Sequence, residues 1–397
     1  MKILLIDQPI RNRGDESAHK ALVRSLLAAV PGVRITVPYR YPEADMAPFM
    51  VPGVQYVHTE EDLFYYRCRL YGAKYGLRFL WHLDPSIRRL SALYREADAV
   101  VSAPGGINLG GFKDWHHLFY LQLALHLRKP LLYFGRSVGP FPESDPDRVR
   151  FKREAGKVLD GMRFISIRDA VSKTYVGDRP CVETLDSAFL ERPSAAIPEE
   201  VLDYVGDSPY FVFVPNALVW HYRYKGMPLE TVRDFFAGML ASLQAAHPGF
   251  KAVLLPQLYN GPHWIENDRL FFEQVAPEGA FVAPDTYSSD VQQAIIRRSA
   301  FLVGARYHSV VFAINNGVPF VALSYEHKMI GLAASLGLSS RVVDITDAVR
   351  TPEGRARVIA DTLAVPLVAA PDAGRKAAEV AQKGFDAFLQ ALKEVCP

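Results

Sequence analysis

The sequence has little cysteine, no long hydrophobic run and almost no net charge. Its 397 residues include three cysteines and no C-x-x-C pair, which argues against a disulfide framework and a structural zinc site. The 45 Lys and Arg residues against 43 Asp and Glu give a net charge of +2, which provides no overall attraction for nucleic acid. No stretch approaches the roughly 18 apolar residues of a membrane span, and the apolar start Met1–Asp7 is too short for a signal peptide. We therefore expect a cytoplasmic protein that has no nucleic acid partner.

Several catalytic signatures are also missing. The 11 histidines form no H-E-x-x-H motif. His116 and His117 are adjacent, which predicts rings that point apart on a helix. No G-x-x-x-x-G-K-[ST] loop, G-x-S-x-G elbow or kinase signature is present. We expect no catalytic metal.

What is present is an alternation of short apolar runs and amphipathic segments, which is typical of parallel sheets connected by helices. The length and this pattern predict an α/β fold with two domains. We predict an N-terminal domain over 1–195 and a C-terminal domain over 200–370, joined through the proline-containing segment 191–200. A helix within 371–397 is expected to pack back on the first domain. The predicted strands are 2–7, 33–38, 99–103, 130–135, 163–168, 210–215, 251–256, 301–304 and 319–324.

The stretch Leu63–Ala97 differs from the rest of the chain. It holds seven Lys and Arg residues, two acidic residues and eight aromatics. We interpret it as a helical insertion whose aromatic side chains belong to the core. The alternative is a surface that binds an anionic membrane or a diphosphate headgroup.

Ligands of open parallel sheets bind beyond the carboxyl ends of the strands, so the loops at those ends are the candidate sites. After the first predicted strand, Gly14 permits a tight turn and Asp15 can accept hydrogen bonds, with a helix expected from about Ser17. The loop 104–111 contains four glycines in two pairs, which lets backbone amides approach a ligand but does not match G-x-G-x-x-G. We predict substrate contacts there from Gly105, Gly106 and Asn108.

Two arginines follow the next strands, Arg136 and Arg168, at the same predicted sheet edge. Each is predicted to bind substrate, with a structural salt bridge as the alternative for either of them.

The second half has the sharpest set of candidates. Arg306 and His308 lie two residues apart where a strand ends and a helix begins. Arginine presents a planar fork for carboxylate or phosphate, and histidine exchanges a proton near neutral pH. Tyr325 and Lys328 follow the next strand. The sequence therefore predicts an anion-binding site with an acid or base group.

Six motifs in order resemble the polysaccharide pyruvyl transferase family. They are N-R-G-D at 12–15, S-A-P-G-G at 102–106, G-R-S-V-G-P at 135–140, S-I-R-D-A-V-S at 166–172, G-A-R-Y-H at 304–308 and S-Y-E-H-K at 324–328. The resemblance extends from Met1 to about Leu338. It implies a glycosyltransferase-B-like pair of Rossmann-like domains facing across a cleft.

The resemblance also implies a reaction and its participants. Phosphoenolpyruvate would donate its pyruvyl group to two hydroxyls of a sugar as a cyclic ketal, as a substrate and without a resident cofactor. The acceptor would be a lipid-diphosphate-linked precursor of a bacterial surface polysaccharide, used at the inner face of the cytoplasmic membrane. His308 takes the place of the family's catalytic histidine.

Catalytic roles follow for the three residues Arg306, His308 and Asp15. Arg306 would hold the donor carboxylate or phosphate, His308 would act as general acid or protonate the departing phosphate, and Asp15 would accept a proton from the acceptor. Lys328 and Arg168 would add anion contacts. The competing interpretations are a nucleotide-sugar-dependent glycosyltransferase and a non-catalytic saccharide-binding relative.

Overall fold

The computed structural model describes residues 1–9, 11–59, 63–259 and 267–396. The chain forms two compact units that are not continuous in sequence. Unit 1 comprises Met1–Ile10, Ala18–Leu190 and Val380–Pro397, and unit 2 comprises Arg11–Ser17 and Glu191–Glu379. The predicted boundary within 191–200 lies close to the one observed. The predicted domain 1–195, however, wrongly included residues 11–17, because a single short segment leaves no mark in composition or periodicity.

Unit 1 contains a seven-stranded parallel sheet in the order β3-β2-β1-β4-β5-β6-β7. Two of its inner strands, Ala99–Ser102 and Leu131–Arg136, are buried along their whole length, because helices cover a parallel sheet on both faces. The strands are β1 Lys2–Ile6, β2 Arg34–Tyr39, β3 Gln55–His58, β4 Ala99–Ser102, β5 Leu131–Arg136, β6 Phe164–Ile167 and β7 Val182–Glu183. The helices are α1 Arg13–Ala29, α2 Glu43–Met46, α3 Leu63–Tyr75, α4 Leu80–Leu83, α5 Pro85–Glu96, α6 Trp115–His126, α7 Pro146–Gly161 and α8 Val171–Val176.

Unit 2 contains a six-stranded parallel sheet in the order β10-β9-β8-β11-β12-β13. The strands are β8 Tyr210–Val214, β9 Lys251–Leu254, β10 Phe281–Val282, β11 Phe301–Gly304, β12 Phe320–Ser324 and β13 Val342–Asp344. The helices are α9 Glu199–Val205, α10 Leu229–Ala246, α11 Asp268–Val275, α12 Ser289–Arg298, α13 Tyr307–Asn315, α14 His327–Leu336 and α15 Pro352–Ala364. The two parallel sheets confirm the α/β prediction.

Helix α16, Pro371–Val395, ends the described chain. From Val380 onward it belongs to unit 1, where Phe385, Phe388 and Leu392 join the apolar core. The rings of Phe388 and Phe134 lie 4.9 Å apart between centroids, so the helix covers part of the sheet that contains β5.

The insertion predicted over 63–97 is helical and consists of α3, α4 and α5. Tyr65, Trp81 and Tyr94 are buried, as expected for side chains of the hydrophobic core. Other aromatic side chains of the insertion are exposed, including Tyr71 and Phe79, so the prediction that its aromatics are core was wrong for these. Aromatic residues occur on both faces of α3, and sequence periodicity therefore gave no indication of which face is buried.

The strands that were not predicted from the sequence all lie at the edges of the two sheets. The sequence did not predict β3, β7, β10 or β13, which are short outer strands. An outer strand lacks a neighbour on one side and has no need for a continuous apolar run. Among the described residues, no helix combines the length and the apolar character that crossing a membrane requires.

Candidate active site

The carboxyl ends of β11 and β12 in unit 2 position the predicted anion-binding residues. The two strands are parallel neighbours, with Gly304 paired to Ala322. Arg306 occupies the position before the first residue of α13, and His308 lies in its first turn. Each is 7% exposed. The structure therefore places both residues at a strand end, as the sequence predicts.

The Arg306 guanidinium is held on one edge. Its Nη2 forms an ion pair with the Asp268 carboxylate, which also accepts hydrogen bonds from the backbone amides of Gln257 and Leu258 at 3.0 and 2.8 Å. The guanidinium carbon lies 5.5 Å from the Trp220 ring centroid. The buried Nε forms no hydrogen bond with any residue that the structure describes. Asp268 and Trp220 therefore fix the plane of the guanidinium, and Nε is a buried donor whose hydrogen-bonding capacity is not used by the described residues.

The His308 ring packs against the first turn of α1. A Cβ atom added to Gly14 would lie 1.9 Å from both Cγ and Nδ1 of the imidazole, so only glycine permits this approach. Asp15 is the next residue and is largely buried. The structure therefore brings the N-R-G-D segment to the R-Y-H segment within unit 2.

Other contacts hold this turn on unit 2. Helix α1 begins at Arg13 rather than near Ser17, with the Asn12 side chain accepting a hydrogen bond from the Gly14 amide at 2.8 Å. The Arg13 amide donates to the carbonyl of Gln257 at 2.8 Å. Arg13 pairs with Glu16 at 2.7 Å, and the Glu16 carboxylate accepts from the amide and hydroxyl of Ser289 at 3.1 and 3.0 Å.

The close approach at Gly14 leads to a direct test. Replacing Gly14 by alanine is expected to lower turnover at least about tenfold, because the methyl group displaces the His308 ring or shifts α1. Steady-state kinetics and thermal unfolding measure the two effects. Gly238→Ala is the control, because its added Cβ would meet only Ile359 at an ordinary 3.7 Å. Equal activity of both variants would show that the ring position is unimportant.

A second cluster follows β12. Lys328 Nζ lies 2.8 Å from Glu326 Oε2, and His221 Nε2 lies 2.6 Å from Glu326 Oε1. Burial opposes ionisation of Glu326, but Lys328 and His221 outweigh it and hold the pKa of this carboxyl well below its usual range. Tyr325 is buried beside the His221 ring, with centroids 5.5 Å apart, and burial raises the pKa of its hydroxyl. The Lys328 charge is therefore partly balanced within the cluster.

The lowered pKa of Glu326 predicts how stability depends on pH. A carboxyl whose pKa is depressed on folding stabilises the protein above its ordinary value of about 4.5, and this contribution is lost as the pH falls through the folded pKa. We expect Glu326→Gln to lower the unfolding temperature by a few degrees at pH 7 and by less as the pH falls below about 4.5. Differential scanning calorimetry across pH 3 to 7 measures this. The exposed Glu230→Gln is the control, and a difference that is constant with pH would contradict the assignment.

In unit 1 the predicted substrate residues contact one another. Arg136 is fully buried, and its Nε and Nη1 donate at 2.5 Å to the carbonyl of Ala103 and to Asn108 Oδ1. A Cβ at Gly105 would lie 2.6 Å from Pro9, whereas a Cβ at Gly106 would have no atom within 4 Å. Arg136, Asn108 and Gly105 are therefore packed within this loop, and their contact with substrate stays a prediction. Gly106 is the position with open space beside it.

Arg168 forms an internal ion pair. Its Nη1 pairs with the Asp186 carboxylate, its Nε donates to Ser137 Oγ at 3.2 Å, and the residue is almost fully buried. This geometry favours the salt-bridge alternative for Arg168 over contact with substrate.

Unit 1 also contains a carboxylate–histidine cluster that was not predicted from the sequence. Asp7 directly follows β1, and its Oδ2 lies 2.5 Å from His117 Nδ1 and its Oδ1 lies 3.8 Å from His116 Nε2. The prediction that the two histidine rings point apart was wrong, because a ring nitrogen of each lies within 3.8 Å of the same carboxylate. Both histidines belong to the first turn of α6. Burial raises the pKa of Asp7, but His117 outweighs it and the net shift is downward. A polar residue directly after the first strand was the signal that could have identified Asp7.

The described residues contain no group of three or more His, Cys, Asp and Glu side chains arranged to hold a metal ion.

Comparisons with solved structures establish the fold. A putative UDP-N-acetylglucosamine 2-epimerase from Listeria monocytogenes superimposes with a TM-score of 0.58 at 10% identity, covering 99% of this chain and 97% of that one. HepE from Anabaena, solved with UDP and glucose, gives 0.57 at 13% identity and 99% coverage of both chains. The trehalose-6-phosphate synthase OtsA gives 0.60 at 10% identity, also with 99% coverage of both. These likenesses confirm two Rossmann-like domains of the glycosyltransferase-B type.

Comparisons of sequence identify the family. The amylovoran biosynthesis protein AmsJ of Erwinia amylovora is 24% identical over 268 residues, which are 63% of this chain and 62% of that protein. The match thus spans about three fifths of the relative's length. The model of the polysaccharide pyruvyl transferase family matches residues 12–327, a span that begins at the N-R-G-D segment and includes Arg306 and His308. The chain belongs to the polysaccharide pyruvyl transferase family.

Proposed function

We propose that the protein transfers the pyruvyl group of phosphoenolpyruvate to two hydroxyls of a sugar, as a cyclic ketal, during biosynthesis of a bacterial surface polysaccharide. The observation that carries this proposal is the packing of His308 on the Asn12–Asp15 turn beside Arg306, within a chain that belongs to this family. The acceptor is a sugar on a lipid diphosphate. The donor is consumed as a substrate, so the reaction needs no resident cofactor.

Arg306 binds the donor. Phosphoenolpyruvate carries a carboxylate and a phosphate, and a guanidinium fork is suited to either group. Asp268 and Trp220 fix the guanidinium from the protein side, which leaves Nε to donate to the donor. Lys328 supplies a second cation, with part of its charge balanced by Glu326.

The proton balance defines the role of His308. Each of the two acceptor hydroxyls loses one proton during ketal formation. One proton is added to the donor's methylene carbon, which becomes a methyl group, and the second proton leaves with the phosphate. The donor's C–O bond to phosphate breaks, and two C–O bonds to the sugar form at the same carbon. Protonation of the methylene carbon creates positive charge on the neighbouring carbon, where the first hydroxyl attacks. His308 delivers this proton, and Asp15, in the turn that contacts the ring, accepts one from the sugar.

The test is direct conversion. Purified protein is incubated with phosphoenolpyruvate and a panel of lipid-linked and nitrophenyl sugars, and the products are examined by mass spectrometry for an added pyruvate ketal. Release of inorganic phosphate in equal amount is measured in parallel. Phosphate release without a modified sugar, or no reaction with any acceptor of the panel, would count against the proposal.

A nucleotide-sugar-dependent glycosyltransferase is the second candidate, because solved structures of the same fold include proteins in complex with UDP. Thermal stabilisation separates the two functions, since a ligand that binds only the native state raises the unfolding temperature in proportion to RT ln(1 + [L]/Kd). We expect stabilisation by phosphoenolpyruvate and none by UDP or GDP sugars. The opposite result would favour the glycosyltransferase.

A further inference from the structure

We infer that the surface of unit 1 formed by α3, α4 and the loop between them binds the surface of an anionic phospholipid bilayer. Seven of the twelve large hydrophobic side chains that are exposed among the described residues lie within 64–83. They are Phe64, Tyr66, Tyr71, Tyr75, Leu77, Phe79 and Leu83. Such a concentration on one segment marks an interaction surface, because isolated exposed apolar residues are ordinary and clustered ones are not.

The exposed side of α3 is aromatic and basic. Phe64, Arg67, Tyr71 and Tyr75 follow the spacing i, i+3, i+7 and i+11, which aligns them along one face of a helix. The rings of Tyr71 and Tyr75 lie 5.9 Å apart between centroids. A surface helix normally turns charged and small polar residues to water, so an aromatic outer face calls for a partner that takes up the rings.

The loop after α3 extends this surface. Leu77, Arg78 and Phe79 are all exposed, and Phe79 is 61% exposed. In α4, Trp81 is buried while Leu83 is exposed. Aliphatic and aromatic tips with an arginine between them suit insertion at the boundary between headgroups and acyl chains.

Charge favours an anionic partner. Residues 63–83 contain no Asp or Glu, although the sequence at 60–62 is Glu-Glu-Asp, and Arg67 and Arg78 are exposed. The next carboxylate, Asp84, is 1% exposed and accepts a hydrogen bond from the Ile87 amide at the start of α5. Helix α5 then exposes Arg88, Arg89 and Arg95. The surface therefore attracts anionic headgroups and would repel a second copy of itself.

Lipid explains these observations better than nucleic acid does. Leu77 and Leu83 offer no ring for stacking on bases, whereas both contribute to insertion among acyl chains. Binding by this surface would be peripheral and sensitive to salt, since part of the attraction is electrostatic. The inference goes beyond the proposed function and does not depend on it, because vesicle binding is measured without donor or acceptor.

The experiment is sedimentation of the full chain with vesicles of phosphatidylcholine alone or mixed with phosphatidylglycerol. We expect capture by the mixed vesicles at low salt, release at high salt and little capture by phosphatidylcholine. The pair of changes Leu77→Ser and Phe79→Ser, and separately Arg67→Glu with Arg78→Glu, should each weaken capture about tenfold or more at an unchanged unfolding temperature. The controls are Val368→Ser, at a residue that is 62% exposed in unit 2, and Arg357→Glu in α15.

A spectroscopic arm tests insertion even if a variant folds poorly. Tryptophan fluorescence of Phe79→Trp should shift to the blue on addition of anionic vesicles, and that of Val368→Trp should not. Each of three results would overturn the inference. They are equal capture of all variants, capture that does not depend on phosphatidylglycerol, and tighter binding of single-stranded RNA than of vesicles.

Discussion

Replacing Arg306 by lysine is expected to remove turnover to the limit of detection, a loss of about 10³-fold or more, while the protein stays folded. Lysine keeps the positive charge beside Asp268 but lacks the planar fork and the Nε donor, which forms no hydrogen bond with any described residue. A phosphate-release assay with a competent acceptor measures the loss, and circular dichroism with thermal unfolding reports the fold.

Two comparisons separate donor binding from structure. Arg297→Lys is the control. Arg297 is likewise an arginine of unit 2 held by neighbouring groups, since it donates to an Asn side chain and to a backbone carbonyl, but it lies at the end of α12 and has no role in the proposed reaction. It should lose stability without a large loss of turnover. Activity of Arg306→Lys close to that of the wild type would show that Arg306 serves only the ion pair with Asp268.

Substituting His308 by glutamine or asparagine should lower kcat by about 10²-fold or more and leave the KM for phosphoenolpyruvate much less affected. Either amide preserves hydrogen bonding but cannot exchange a proton in the neutral range. Initial-rate kinetics over a range of donor concentrations give both constants.

The pattern of the loss distinguishes two roles for His308. A loss confined to KM would make it a contact for the donor's phosphate, and the general acid would have to be another group. His247→Gln serves as the control, because its ring packs on Phe301 with centroids 4.7 Å apart and has no place in the proposed reaction. Its kcat should remain within about twofold of the wild type.

The sequence predicted the inner strands and the pair Arg306 and His308, because buried parallel strands are continuous apolar runs and sites follow their carboxyl ends. It did not reveal Asp268 as the partner of Arg306. Nor did it reveal the contact of His221 with Glu326, which joins residues 105 positions apart. Such pairings depend on how loops from different strands meet, and no local pattern encodes them.

The roles of the arginines in unit 1 show a different limit. Residue type and position at a strand end are the same for a ligand contact and for an internal ion pair. For Arg168 the buried pairing with Asp186 favours the ion pair, and only the packing reveals it. Arg136 donates instead to the Ala103 carbonyl and to Asn108, and its contact with substrate stays a prediction.

Neither unit is a continuous stretch of chain. Unit 2 takes residues 11–17 from the start of the sequence, and α1 then continues into unit 1. A fragment that begins at Glu191 would lack Gly14 and Asp15, and Gln257 and Ser289 would lose the hydrogen bonds that hold the turn. Chimeras between relatives therefore need a crossover inside α1, after Ser17, so that the N-R-G-D turn is inherited together with the His308 that it contacts.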